Sequence, residues 1–121
     1  MQYMLLIYEA EEIWENMNEA EQAEVLAGHR ALNDRLHADG VVFTGEPLMP
    51  TATAVSVRNR NGQRHVSDGP FAETKEQLAG FYLVDVATID QALEYAALIP
   101  NADGGTIEVR PLNSHIELPD D

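Results

Sequence analysis

No cysteine occurs among the 121 residues, which removes disulfides, thiolate metal ligands and cysteine nucleophiles together. Positive charge is scarce as well. Seven Lys and Arg stand against 21 Asp and Glu, for a formal charge of −14. A surface this acidic repels phosphate backbones, so nucleic-acid binding is disfavoured. Long hydrophobic runs are missing too. The apolar run from Tyr3 to Tyr8 has no basic segment before it. It is too short for a signal peptide or a membrane span, so a cytoplasmic location with no membrane attachment is expected. No glycine-rich phosphate loop and no Ser-His-Asp pattern stands out, and His37, His65 and His115 show no metal-ligand spacing with His29. Neither a metal nor a cofactor is expected on these grounds.

What is present suits one globular domain. Hydrophobic residues make up 45% and mean hydropathy is −0.26, enough apolar material for a core and too much for a disordered chain. Charge is unevenly placed. Glu9, Glu11, Glu12, Glu15, Glu19, Glu21 and Glu24 all precede the first basic residue, Arg30, while Arg58, Arg60 and Arg64 cluster beside His65. The cluster reads as a solvated hairpin or, more sharply, as a positive patch that helps an anionic ligand approach.

Residues 2–8 read as a strand that is apolar on both faces and therefore covered on both. Asn18 with Glu21 forms a capping-box pattern that opens a helix running to about Asp39 and stopping at Gly40. Val25, Leu26, His29, Leu32 and Leu36 fall on one stripe of that helix. The stretch VVFTGEPLMP is a short strand, and Asn61-Gly62 is the type I′ turn of a hairpin whose first arm carries Val55 and Val57. GFYLVDV, residues 80–86, is a second strand apolar on both faces. Thr88 with Gln91 opens a second helix that ends at Pro100, and TIEVRPL alternates as an edge strand does. The order strand, helix, strand, inserted hairpin, strand, helix, strand is the α+β, ferredoxin-like βαββαβ arrangement. Its domain spans residues 1–112, with a polar tail at 113–121. Two helices cover one face of such a sheet, and a homodimer with facing sheets is the simplest cover for the other.

The stretches MQYMLLIYE, HRALNDRLHADGVVFTGEPL, DGPFAETKEQLAGFYLVDV and IEVRPL resemble the bacterial YCII-related proteins of the DGPF group, over roughly residues 1–112. The resemblance implies a dimeric α/β barrel and small-molecule chemistry between helices and sheet. It also implies a catalytic dyad of a helix histidine and an aspartate, matched here by His29 and Asp68. One relative is a dehydrochlorinase of a chlorinated aromatic. The DGPF group itself has no settled reaction, and a regulatory link to an extracytoplasmic-function sigma factor is the competing implication.

The residues support the dyad in part. His29 lies in an apolar stripe, where it is either a core histidine satisfied by one hydrogen bond or a general base oriented by a carboxylate. Asp68-Gly69-Pro70-Phe71 is a turn in its own right, with Asp first, Gly relaxing the backbone and Pro setting the next φ. Phe71 is expected to anchor that turn in the core. The charged follow-on AETKEQ makes the segment one wall of a site, framed by the turn. Glu73 to Glu76 read as a helical turn. Lys75, the only lysine in the chain, is placed to bind a carboxylate or enolate, with Tyr8, Tyr82 and Arg64 as further contacts. The expected chemistry is elimination or hydrolysis on a small anionic or aromatic molecule. The alternative is a non-catalytic ligand-binding or regulatory module.

Overall fold

The computed structural model describes residues 1–101, 104–114, 116 and 119. His115 and most of the tail read at 113–121 lie outside the described residues. In chain order the elements are β1 (Gln2–Glu9), α1 (Glu11–Glu15), α2 (Glu19–Ala38), β2 (Val42–Pro47), β3 (Val55–Arg60), β4 (Gln63–Asp68), β5 (Gln77–Asp85), α3 (Ile89–Leu98) and β6 (Thr106–Pro111). The fold is α+β. One antiparallel sheet has the order β2-β5-β1-β6, and β3 and β4 form a separate two-stranded hairpin. The two strands that are apolar on both faces, β1 and β5, are central, and β6 is an edge.

Local signals account for the element ends. Asn18 accepts from the Glu21 amide at 2.8 Å while Glu21 accepts from the Asn18 amide at 3.1 Å, closing the capping box that starts α2. Thr88 and Gln91 do the same for α3. The helix α2 ends where Gly40 takes a φ of 71°, the left-handed value that a glycine tolerates beyond a helix. Beyond its last turn, the Asp39 carboxylate receives Arg35 Nε at 2.9 Å and the Tyr95 hydroxyl at 2.7 Å, which ties α2 to α3. In the hairpin, Asn61 and Gly62 have φ of 51° and 75°, as a type I′ turn requires.

Alternation along β1 and β5 decides which side the core occupies. Tyr3, Leu5 and Ile7 of β1 and Tyr82 and Val84 of β5 are buried under α2 and α3, against Leu32, Leu36, Ala92 and Ala96. Ala92 and Ala96 present a small-residue face, which lets α3 sit close to the sheet. Met4, Leu6, Phe81 and Leu83 alternate with the buried set and are only half-covered. They form the centre of the helix-free face, with Thr44, Glu46, Glu108 and Arg110 paired beside them on the edge strands.

Two expectations need correction here. Phe71 does not anchor the turn in the core. It is 77% exposed, because the turn belongs to a hairpin that stands off the main sheet. Residues 73–76 do not form a helical turn: 73 and 74 are irregular and 75 and 76 bend. The Thr74 hydroxyl donates to the Glu76 carbonyl at 2.5 Å, a local bond that competes with a helical ladder.

Candidate functional site

The helix α2 seals the sheet along only half its length. Leu32 and Leu36 are 2% and 0% exposed, whereas Leu26, read as part of the same stripe, is 60% exposed. The N-terminal half of α2 offers too little apolar surface to close against the sheet, and a cleft of about 490 Å³ opens there. Its walls are the end of β1, α1, the stretch 25–33 of α2, the end of β2, the segment 48–50 and the start of β5. The strands are irregular at this point. Ile7 pairs with Gly80 but Tyr8 with Leu78, which leaves Ala79 as the extra residue of a bulge. Bulges of this kind redirect side chains beside functional sites.

His29 is half-buried in the cleft wall. Its Nδ1 lies 2.8 Å from the Tyr82 hydroxyl, and the two rings stack with centroids 5.9 Å apart and planes 12° from parallel. Tyr82 is itself positioned from behind. A Cβ on Gly45 would stand 2.8 Å from the Tyr82 ring, so glycine in β2 is what allows the ring to lie flat against the neighbouring strand. Burial holds the His29 pKa below the ordinary imidazole value and outweighs the Glu9 carboxylate, which pulls in the opposite direction. Burial also raises the Tyr82 hydroxyl. The pair therefore rests as neutral imidazole and protonated phenol. With the hydroxyl donating to Nδ1, the ring proton sits on Nε2, which then serves a ligand as a hydrogen-bond donor. With the hydroxyl accepting from Nδ1–H, Nε2 offers a free lone pair, as a general base needs.

The mouth of the cleft is clasped by one carboxylate. Glu11 accepts from the Thr51 amide at 2.6 Å and from the Thr51 hydroxyl at 2.9 Å, and its own amide donates to the Gln77 side chain at 2.9 Å. These bonds hold α1 over the opening and lay Trp14, the one tryptophan of the chain, along its rim. Sequence reasoning missed α1, since a single helical turn carries no periodicity and Ala10 supplies no side-chain cap. It also missed Asn33, one turn after His29. Asn33 lines the same cleft, and its buried Oδ1 has no hydrogen-bond partner among the described residues. The helical spacing of His29 and Asn33 was the signal that could have found it.

Of the residues read as a site, His29 lines the cleft, joined by Tyr82, while Asp68, Lys75, Arg64 and Tyr8 are not among its lining residues. Asp68 ends β4, directly paired with Val55 on the hairpin. Arg64 pairs with Asn59 near the hairpin tip. Lys75 borders a separate, shallow polar depression with Glu11, Glu12 and Glu15. Tyr8 follows Ile7 in the strand alternation and falls on the helix-free side. Among the described residues no group of three or more His, Asp or Glu comes together to hold a metal ion.

Comparison with known proteins gives one family and one similar protein. A family model described as the YCII-related domain matches residues 1–115. An uncharacterized protein of Rhizobium meliloti (strain 1021) is 40% identical over 114 residues, which is 93% of this chain and 92% of that protein.

Proposed function

Since the chain belongs to the YCII-related family, we propose that it binds a small, largely apolar molecule in the cleft and that His29 exchanges a proton with it there. The 2.8 Å contact between His29 Nδ1 and the Tyr82 hydroxyl carries this reading. It supplies the oriented, neutral imidazole that acid/base chemistry requires. The strand order β2-β5-β1-β6 suits a ferredoxin-like frame, and the apolar centre of the helix-free face suits a homodimer with facing sheets, closing as an α/β barrel. Elimination and hydrolysis both fit a proton-transferring group without a nucleophile.

Asp68 enters this reading through the hairpin. The valine-bearing face of β3 and β4, with Val57 directly opposite Val66, is exposed, and a two-stranded ribbon gains little stability by itself in water. Docking of that face in the dimer would carry Asp68 toward a cleft. Histidine NMR titration separates the two possible partners of His29. Should Tyr82→Phe shift the His29 midpoint while Asp68→Asn leaves it unmoved, Tyr82 is the working partner. The reverse result makes Asp68 the partner. A His29→Ala protein that still turns over any ligand found would overturn the proton-transfer role.

A further inference from the structure

The charged residues that line the cleft all carry the same sign. Glu9, Glu11 and Glu15 contribute to its walls, Glu46 borders it from a strand position whose side chain belongs to the helix-free face, and among the described residues no lysine or arginine lines it. Glu9 lies near enough to His29 to act on its charge, and the Glu11 carboxylate stands at the mouth against Thr51. The remaining lining is mostly apolar, with Trp14 at the rim. Resting on the reading of this cleft as a ligand site, we propose that its ligand is cationic: an aromatic or aliphatic amine whose apolar body fills the cleft and whose ammonium faces the glutamates.

Three physical arguments converge on that class. A carboxylate ligand entering the cleft would meet only like charge, in surroundings where water screens less than in bulk. An ammonium is attracted by the same groups, and the face of Trp14 adds a cation–π contribution. Asn33 supplies the third argument. Its buried Oδ1 is an acceptor without a donor among the described residues, on a residue that lines the cleft, so what this wall lacks is a donor and not a further acceptor. The molecule's charge of −14 further favours the approach of a cation.

Trp14, the single tryptophan, makes the test direct. Its fluorescence would be followed while the protein is titrated with phenethylamine, phenethyl alcohol and phenylacetate, which share an aromatic body and differ in head charge. Phenethylamine is expected to bind about tenfold tighter than phenylacetate, with the alcohol between them, as expected for attraction at partly screened distances. Glu9→Gln and Glu15→Gln should each reduce the preference about threefold while leaving the alcohol unchanged. The unchanged alcohol affinity shows that each variant has folded. Equal affinities, or tightest binding of phenylacetate, would overturn the charge assignment and leave the cleft reading standing. If none of the three perturbs either Trp14 or the His29 ring signals, the cleft reading falls and the cationic ligand falls with it.

Discussion

At the scale of single residues, His29 is set by two opposed influences of unequal size. Desolvation is the larger and lowers its pKa, while the nearby Glu9 carboxylate raises it. The ring should therefore titrate below the ordinary value of about 6.5. Glu9→Gln, which removes the raising influence, should move the midpoint lower still. Proton NMR of the His29 ring checks both directions, and an upward shift in Glu9→Gln would contradict this account. The sign for stability follows from linkage. The unfolded chain takes up the proton at a higher pH than the folded one, so the contribution of neutral His29 is complete above about pH 6.5 and is lost as pH falls through and below that value. Tyr82 is protected from such switching, since burial raises its pKa from an already high value.

At the scale of elements, α2 does two different jobs along its length. Its C-terminal half packs Leu32 and Leu36 into the core, and its N-terminal half leaves room for a ligand. Gly28 lies at the join. A Cβ there would stand 2.5 Å from Pro100 Cγ in the segment after α3, so glycine permits the close approach of that segment to the helix. Gly28→Ala gains about 1 kcal/mol of helix propensity but overpacks against a ring tied to the backbone at both ends, which costs about 1–3 kcal/mol. A net loss of about 1 kcal/mol is expected in urea unfolding, and a gain in stability would show that the proline ring yields. The hairpin is the opposite kind of element. Its turn is well specified by Asn61 and Gly62, but among the described residues little packs against its valine face.

At the scale of the whole molecule, the helix-free face is the unfinished surface. Met4, Leu6, Phe81 and Leu83 form its apolar centre, and Glu108 and Arg110 lie together on the edge strand at its rim. Such a rim can pair with its own copy across a two-fold axis. The proposed dimer makes a plain forecast. The wild type should sediment as a dimer, whereas Leu83→Glu, which places a carboxylate at the centre of the face, should shift the equilibrium to monomer without loss of helical circular dichroism. A wild-type monomer at micromolar concentration would argue against the facing-sheet dimer. The described helices include none long and apolar enough to cross a membrane.

How much of this was legible beforehand depended on whether the deciding interaction was local. The capping boxes at Asn18 and Thr88, the Asn61-Gly62 turn, and the two-faced apolar strands β1 and β5 were all readable, because backbone hydrogen bonding and side-chain alternation act over a few residues. The α+β order followed from them, whereas family membership rested on the resemblance of longer stretches such as DGPFAETKEQLAGFYLVDV. His29 was legible as a residue of interest, but its stripe could not show that the helix lifts from the sheet at Leu26. Its pairing with Tyr82, 53 residues away in the chain, arises only when β5 is placed beside β2 and Gly45 leaves space for the ring. The acidic lining is of the same kind. Glu9, Glu11 and Glu15 were visible as part of a charged run, but the bulge at Ala79 and the clasp between Glu11 and Thr51 turn that run toward a cleft. Composition and short-range pattern determined which elements form and how they begin and end. Which side chains share a site was decided by contacts between strands and helices distant in sequence, because a pocket exists only where packing fails to close.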